Sequence, residues 1–371
     1  MALASLHPDR MKVRLTGLRK SYGEVHALRD TSLTVPAGEF LTLLGPSGSG
    51  KTTLLMMLAG LIVADAGEVW IDGKDATFEP VFKRDIGMVF QNYALFPHLT
   101  VYENIAFPLR MRRMSEATIR EKVERILEIV RLPQVAGRLP RELSGGQQQR
   151  IALARCAVYE PSIILMDEPL GALDKKLRDH MQLEIKRLHT ELGATILYVT
   201  HDQEEAMAMS DRICLMNNGR IEQLGTPADL YFRPVSVFAA DFLGGSNIFK
   251  ATVSNVGSNV CLKGPGDARV KADALGSLKV GQAVDVMIRP EHIRLLANDD
   301  TSDNAVPGIL EQSIMVGPVT RYYGRLSDGT PIGAMHLTRS PHRAAQPGDA
   351  VRFGWSQEHT VVIQRAAAVS P

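Results

Sequence analysis

The sequence predicts a layered α/β domain over residues 11–245, followed by a small β-barrel domain over residues 246–371. A short apolar run at 40–44 predicts a buried strand, and a glycine-rich turn and a helical segment follow it at once. Two further apolar, β-branched runs, 162–166 and 194–200, predict parallel strands that are covered on both faces. Because such strands alternate with helical segments, a sheet layered between helices is the expected core.

The predicted helices lie between these strands. Apolar residues recur at helical spacing over 119–130 after Ser115, a candidate N-cap, and Pro133 ends the pattern. A second amphipathic pattern covers 177–192, ahead of the third strand.

The sequence changes in texture after Gly244-Gly245-Ser246, where short alternating strands with frequent Gly, Pro and Asp begin. An internal repeat lies here, because 281–292 and 348–359 carry Gly, Ala, Val, Glu and His in register. Duplicated short-strand units predict a barrel made of two similar halves. The Glu-His pairs that end the two copies are interpreted as turn residues in preference to a metal site.

The composition sets limits on function. With 42 Lys plus Arg and 41 Asp plus Glu, the net charge is +1, so nucleic acid is not an expected partner. The 3 cysteines lack metal-ligand spacing, which is typical of a reducing compartment. The N-terminus lacks an apolar run of signal-peptide length, and no run of about 18 apolar residues predicts a membrane span. Met11 is an alternative start to Met1.

A phosphate loop is the first motif that carries chemistry. Gly45-Pro46-Ser47-Gly48-Ser49-Gly50-Lys51-Thr52 matches the pattern G-x-x-x-x-G-K-[ST], and Thr53 continues it into the predicted helix. Successive backbone N–H groups of such a loop surround phosphate oxygens at a helix N-terminus, where the helix dipole favours anions. The motif predicts that Lys51 reaches the outer phosphates of ATP and that the Thr52 hydroxyl coordinates Mg²⁺.

Two adjacent carboxylates follow the second predicted strand. Asp167 and Glu168 come after four apolar residues, at the strand end that faces the phosphates. We expect Asp167 to hold Mg²⁺, directly or through water, and Glu168 to act as general base on the attacking water. An ordinary acidic exit from a strand is the alternative, and the preceding phosphate loop argues against it.

A second glycine-rich helix start follows the phosphate loop along the chain. Leu143-Ser144-Gly145-Gly146-Gln147 precedes a helical stretch at 148–158 and predicts another anion-binding helix N-terminus. Two such elements of one chain flank a single nucleotide only if two chains meet head to tail. The segment resembles the signature sequence of ABC ATPases, and its place shortly before Asp167 matches the order of motifs in that family.

Four more segments resemble motifs of the same family. Tyr22 matches the aromatic residue that stacks on adenine, and Gln91 matches the glutamine that contacts Mg²⁺ or water and begins the loop facing the membrane subunits. Asp174 ends Gly171-Ala172-Leu173-Asp174, which resembles the loop across the dimer interface. His201 matches the histidine that contacts the γ-phosphate. Without the other motifs, a core tyrosine and a structural histidine would be the simpler interpretations.

The resemblance covers about residues 11–245 and implies a P-loop nucleotide-binding domain, with a RecA-like core and a helical subdomain at about 92–160. It implies that Ser144 and Gly146 of a second chain close over the nucleotide. ABC ATPases that act on nucleic acid or the ribosome usually carry coiled-coil insertions or two nucleotide domains per chain, and many exporters are fused to membrane helices. A soluble ABC ATPase that acts on nucleic acid or the ribosome stays open as a remote alternative.

Further resemblance favours an importer subunit. Residues 90–105 and the segment from Gly225-Thr226-Pro227 to 244 resemble importer ATPases of bacteria for sugars, polyamines and ferric iron, and the tail containing Arg289-Pro290-Glu291-His292 resembles their C-terminal OB-like TOBE barrel. The implied partners are a second copy of the chain, two membrane-spanning permease subunits and, indirectly, an extracytoplasmic solute-binding protein. The implied location is the cytoplasmic face of the inner membrane.

The cargo and the role of the C-terminal domain stay open. Asn247 and the ending around Trp355 most resemble the spermidine/putrescine-type branch, with ferric iron, aminophosphonates, other organic cations and sugars as alternatives. The C-terminal barrel is expected either to receive regulatory signals or only to support the dimer. A chain that serves mainly as a regulator is a second alternative.

Overall fold

The computed structural model describes residues 11–171, 173–273, 278–297, 300–338 and 346–364. The chain divides into two compact units, Met1–Pro227 and Ala228–Pro371. This division falls earlier than the change of sequence texture on which the predicted boundary after residue 245 rests.

The first unit contains two sheets. Its strands are β1 Met11–Tyr22, β2 Val25–Pro36, β3 Phe40–Leu44, β4 Ala66–Ile71, β5 Lys74–Asp75, β6 Ile86–Val89, β7 Ile163–Asp167, β8 Thr195–Thr200, β9 Arg212–Asn217 and β10 Arg220–Gly225. An antiparallel sheet has the order β2-β1-β4-β5, and a central sheet has the order β10-β9-β3-β8-β7-β6. All neighbours in the central sheet are parallel except β9 and β10.

Helices cover the central sheet. They are α1 Lys51–Ala59, α2 Val101–Met111, α3 Glu116–Ile129, α4 Gly145–Ala157, α5 Lys175–Leu192 and α6 Gln203–Met209. The Ser115 hydroxyl accepts a hydrogen bond from the Thr118 backbone N–H, as an N-cap should. The sequence analysis missed α2, although its capping box of Thr100 and Glu103 is visible in the sequence.

Successive residues of the central strands pack into different apolar layers. Ile164 and Met166 join a cluster with α2 to α5, whereas Ile163 and Leu165 join a cluster with α1 and the antiparallel sheet. Side chains alternate between the two faces of a strand, so both faces of β7 are dry. The continuous apolar runs in the sequence therefore do predict these strands.

The second unit contains two short helices and two antiparallel sheets. The helices are α7 Pro227–Phe232 and α8 Val237–Phe242, and the strands are β11 Asn247–Val256, β12 Asn259–Lys263, β13 Arg269–Asp273, β14 Ala283–Ile288, β15 Arg294–Leu296, β16 Asn304–Val316, β17 Val319–Leu326, β18 Pro331–Leu337, β19 Ala350–Trp355 and β20 Val361–Gln364. The sheet orders are β13-β12-β11-β14-β20 and β15-β19-β16-β17-β18. Phe353 and Trp355 are fully buried between the sheets.

The two short helices are fixed to this unit by Arg289. Its guanidinium donates to the carbonyls of Ala240 (2.9 Å), Gly244 (3.1 Å) and Tyr231 (2.8 Å), and it stacks over the Tyr231 ring at 4.1 Å. The side chain is buried, and burial lowers the pKa of Arg289. These contacts explain why the compact unit begins before the change in sequence texture.

The internal repeat corresponds to equivalent elements of the two sheets. In the first copy β14 leads to the 3₁₀ turn Pro290–His292, and in the second β19 leads to the 3₁₀ turn Gln357–His359. The rings of His292 and His359 stack, with centroids 3.7 Å apart and planes at 14°. The two copies therefore meet at their histidines.

Within the described ranges, no helix of the chain is long and apolar enough to cross a membrane.

The histidine stack should make the second unit sensitive to acid. Burial and the neighbouring His359 lower the pKa of His292 below its ordinary value of 6.5. His292 therefore takes up a proton at a higher pH in the unfolded chain than in the folded chain. The contribution of the neutral His292 to the free energy of unfolding is complete above about pH 6.5 and is lost as the pH falls below it. Thermal unfolding of the full chain should show a falling midpoint between pH 7.5 and 5.5, and His292→Phe should flatten that dependence. The same pH dependence in both proteins would contradict the assignment.

Candidate active site

The loop between β3 and α1 has a backbone that only glycine can adopt at two positions. Gly45 has a φ of +156°, and a Cβ built there would lie 2.2 Å from the Met216 carbonyl oxygen. Gly50 has a φ of +99°, and its Cβ would lie 2.4 Å from the carbonyl oxygen of Ala27. These clashes with backbone atoms explain the two end glycines of the motif.

The remaining loop residues form a turn with an exposed tip. The Ser49 backbone N–H donates to the Pro46 carbonyl at 3.2 Å, and the Ser49 side chain is buried. Ser47 and Gly48 are exposed, and Thr53 lies partly buried in the first turn of α1. The loop is thus anchored at both ends, with its tip open to solvent.

Lys51 is a buried cation at the base of this loop. The residue is only 5% exposed, and its Nζ donates to the carbonyl oxygens of Gly45 and Pro46, both at 2.9 Å. Burial lowers the pKa of Lys51, whereas the nearby Glu168 and Asp167 carboxylates oppose that effect. The loop therefore holds a positive charge directly at a helix N-terminus, which favours a phosphate anion.

Two carboxylates end β7 beside this lysine. The Thr52 hydroxyl donates to Asp167 Oδ1 at 3.2 Å. Burial raises the pKa of Asp167, and the hydrogen bond from Thr52 opposes that effect. Glu168 has a φ of +44°, uncommon for a residue with a side chain, and its N–H donates to the Val199 carbonyl at 3.0 Å. This backbone conformation fixes the place where the Glu168 side chain leaves the sheet edge.

His201 follows β8, the neighbour of β7, and meets Glu168. Its Nδ1 lies 3.2 Å from Glu168 Oε1. The carboxyl ends of β3, β7 and β8 therefore bring Lys51, Asp167, Glu168 and His201 to one edge of the sheet, where open α/β sheets bind their ligands.

A polar network that the sequence analysis missed holds the turn after β8. Buried Glu205 accepts hydrogen bonds from the hydroxyls of Tyr198 and Thr200, each at 2.7 Å, and burial raises the pKa of Glu205. Arg178 donates to Asp202 Oδ2 and to the Leu173 carbonyl, each at 3.0 Å. Arg178 thus ties the turn after His201 to the loop before α5. The only signal for it was a cation in the first turn after Asp174.

The glycine-rich segment at α4 is a capped helix start. The Ser144 N–H donates to Gln147 Oε1 at 3.0 Å, and the Gln147 N–H donates to Ser144 Oγ at 3.4 Å. Gly146 is buried, and a Cβ there would lie 3.0 Å from Leu177 Cδ1, while Ser144 and Gly145 are exposed. In the described part of one chain, no hydrogen bond joins this helix start to the phosphate loop.

The other predicted residues lie at the margins of the sheet edge. Tyr22 is half-exposed, and Lys20 Nζ lies 5.5 Å from its ring centroid. Gln91 is exposed, with its Nε2 close to Gly171. Asp174 N-caps α5 by accepting from the Leu177 N–H at 3.0 Å. Ala172, in the same motif, lies outside the described residues.

A buried strand, a glycine-rich loop around a lysine, and carboxylates at the neighbouring strand end are the arrangement of a P-loop ATPase. Residues 28–171 match the family model for ABC transporter, and residues 286–363 match that of the TOBE domain. The chain is 44% identical over 354 residues to the spermidine/putrescine import ATP-binding protein PotA of Rubrobacter xylanophilus, covering 95% of this chain and 93% of the relative. The protein of the same name from Chromobacterium violaceum is 46% identical over 343 residues, with 91% and 94% covered. The chain belongs to the family of ATP-binding subunits of ABC transporters, and it is an ATPase coupled to transport.

Solved structures resemble the chain over somewhat more than half its length. CbiO1 from Clostridium perfringens, part of the ABC transporter complex cbiONQ, has a TM-score of 0.57 and 28% identity, covering 60% of this chain and 90% of that one. The dimeric post-hydrolysis state of the ATP-binding cassette MJ0796 bound to ADP and Pi has a TM-score of 0.52 and 36% identity, covering 58% and 98%. The predicted P-loop fold with a C-terminal TOBE barrel is thus confirmed.

Substitution of Gly50 tests the steric reading of the loop. Gly50→Ala should destabilise the chain by roughly 2–3 kcal/mol, because it combines a positive φ with a clash against the Ala27 carbonyl. Gly48→Ala is the matched control, since Gly48 has a φ of +77° but open space around its Cβ position, and it should cost only about 1 kcal/mol. Urea unfolding of both variants measures the difference, and equal losses would refute the steric argument.

Proposed function

We propose that this chain is the ATP-hydrolysing subunit of a polyamine importer and that it works as a head-to-tail homodimer. The observation that carries the ATPase part is the convergence of Lys51, Asp167, Glu168 and His201 at one sheet edge, beside the constrained phosphate loop. The cargo rests on relatives named for spermidine/putrescine import, which are 41–46% identical over more than 90% of this chain.

The residues at the end of β7 fit a magnesium ion. The Thr52 hydroxyl and the Asp167 carboxylate lie 3.2 Å apart, and hard oxygen donors of this kind are the ligands that Mg²⁺ prefers. We assign Gln91 as a further oxygen donor from the loop after β6. When bound, the metal neutralises negative charge on the phosphates. The phosphate-loop N–H groups and Lys51 position the phosphates. Thr53 lies beside them in the first turn of α1.

Glu168 and His201 are assigned to the chemical step. The Glu168 carboxylate accepts a proton from the attacking water, and its backbone conformation, with a φ of +44°, fixes where the side chain leaves the sheet edge. His201 is within hydrogen-bond distance of Glu168 and can hold that carboxylate or contact the γ-phosphate. The hydrogen bonds from Tyr198 and Thr200 to the buried Glu205 fix the end of β8, and His201 is the next residue.

The second chain completes each site. The helix start at Ser144 and Gly145 is exposed, and the helix dipole there favours an anion that lies outside its own chain. We assign this helix start to the nucleotide held by the partner, with Asp174 at the interface between the chains and Tyr22 stacking on adenine. A dimeric ATP-binding cassette bound to ADP and Pi supports this arrangement.

The partners in the membrane follow from the family. We assign two permease subunits, contacted by the loop that starts at Gln91, and indirectly an extracytoplasmic solute-binding protein. The chain then lies at the cytoplasmic face of the inner membrane. Ferric iron, aminophosphonates and sugars are the competing cargoes, since no residue of an ATPase subunit contacts the solute.

The general base has a direct test. Glu168→Gln keeps the side-chain shape but cannot accept the proton, so kcat for ATP hydrolysis should fall by about 10²- to 10³-fold. Nucleotide affinity should be retained, because Lys51 and the loop are unchanged, and ATP should trap a dimer on size-exclusion chromatography. Lys51→Ala is the contrasting variant and should lose nucleotide affinity itself. Hydrolysis at the wild-type rate in Glu168→Gln would refute the assignment of the base.

Uptake by cells identifies the cargo. Deletion of the chain should abolish uptake of labelled spermidine and putrescine, and wild type but not Glu168→Gln should restore it. If polyamine uptake persists while the purified chain hydrolyses ATP, the cargo assignment fails and the ATPase assignment stands. The same cells would then be tested with iron, aminophosphonates and sugars.

A further inference from the structure

Two buried polar side chains have no hydrogen-bond partner among the described residues, one in α4 and one in the Gln91 loop, the segment 90–100 between β6 and α2. Gln149 of α4 is 0% exposed, and within the described residues neither its amide nitrogen nor its amide oxygen has a partner. The hydroxyl of Tyr93, two residues after Gln91, is also buried and has no hydrogen-bond partner among the described residues. Buried polar groups are nearly always paired in folded proteins, so two such side chains on neighbouring elements require a reason.

The loop after Gln91 is also strained. Tyr93 has a φ of +60° and Ala94 a φ of +47°, so two consecutive residues with side chains occupy the left-handed region. Strain of this kind persists only where the surroundings impose it, and it concentrates at ligand clamps and switch regions.

The signature helix imposes this conformation through Arg155. Arg155 of α4 donates to the Ala94 carbonyl at 2.7 Å and to the Tyr93 carbonyl at 3.0 Å. The strained part of the loop is therefore hydrogen-bonded to the helix that starts after Ser144.

Gln149 lies on the face of α4 that packs toward β6. Gln149 and Cys156 are seven residues apart and so share one face of the helix. A Cβ at Gly87 of β6 would lie 2.3 Å from Cys156 Sγ, so this face is pressed against the strand that leads to Gln91. Tyr93 and the buried apolar residues of α4 belong to one hydrophobic cluster.

We propose that Tyr93 and Gln149 are positioning residues, whose side chains hydrogen-bond to each other in the ATP-bound conformation and hold the Gln91 loop against the signature helix. This inference rests on the proposed ATPase function. Arg155 keeps loop and helix together throughout, and the side-chain pair forms only when the nucleotide draws Gln91 toward the phosphates. The pair thus links one chain's own phosphates to the helix start that faces the partner's nucleotide.

The test uses the full chain with Tyr93→Phe, Gln149→Leu and the double variant, each of which removes polar atoms at similar volume. Without nucleotide, their melting temperatures should equal or exceed that of wild type, because an unpartnered buried polar group is replaced by an apolar one. The kcat/KM for ATP hydrolysis should fall about three- to tenfold, the factor that one neutral hydrogen bond supplies, because the pair stabilises the ATP-bound chain. The double variant should be no slower than the slower single variant, because both changes remove one bond.

Tyr159→Phe is the matched control. The Tyr159 hydroxyl follows the same helix but already donates to the Ile86 carbonyl at 3.2 Å, so its loss should lower the melting temperature and leave kcat/KM unchanged. Unchanged kcat/KM in Tyr93→Phe and Gln149→Leu, additive losses in the double variant, or kcat/KM and melting temperature falling together would overturn the proposal.

A second readout separates this inference from the proposed function. ATP should raise the melting temperature of Glu168→Gln more than that of the same variant carrying Tyr93→Phe, which requires binding but no hydrolysis. If wild type did not hydrolyse ATP, the proposed function would fail while this shift still tested the pair. Equal shifts in the two proteins would refute the pair and leave the ATPase assignment intact.

Discussion

The burial of the central parallel sheet on both faces is the constraint on which the rest of the first unit depends. Residues of β7 alternate between two apolar clusters, so the strand can carry polar groups only where it ends. The order β3-β8-β7 places three such ends side by side. The phosphate loop, the carboxylate pair and His201 are consequences of that geometry, since each is the first polar segment after a dry strand.

The same burial sets the electrostatics of the edge. Lys51 lies at the edge of a buried apolar layer and loses hydration. Its hydrogen bonds to the loop carbonyls replace only part of that hydration, so its pKa is lowered. Asp167 experiences the opposite effect, since burial raises its pKa and favours the neutral acid. A divalent cation bound beside Thr52 would favour the charged carboxylate. The lowered pKa of Lys51 and the raised pKa of Asp167 therefore describe a site in which bound nucleotide and metal together would favour the charged forms of both side chains.

Much of this could be predicted from the sequence, and the physical reason differs between elements. The strands β3, β7 and β8 are continuous apolar runs because they are dry on both faces, and the phosphate loop has Gly45 and Gly50 where a Cβ would clash with backbone. Helix α2 was missed, although its buried Val101, Ile105 and Leu109 recur at helical spacing and its capping box is visible. Arg155 and Gln149 could not be predicted, because their significance lies in which carbonyls Arg155 contacts across the fold and in the complete burial of Gln149. The stacked histidines were visible as a repeat but not as a contact, since sequence register does not show that two turns face each other.

A single chain satisfies its own side of the site more fully than its other phosphate-facing element. Lys51 has carbonyl partners, Asp167 has Thr52, and Glu168 has His201, whereas Ser144 and Gly145 at the start of α4 are exposed. Inside the protein, Tyr93 and Ala94 of the Gln91 loop have positive φ angles, and polar atoms of Tyr93 and of Gln149 in α4 lack partners among the described residues. A fold that is tightly satisfied at one nucleotide-facing element and under-satisfied at the other has a physical reason to change when a second chain arrives. The energy released at the dimer interface can then be transmitted through α4 to the loop that we assign to the membrane subunits.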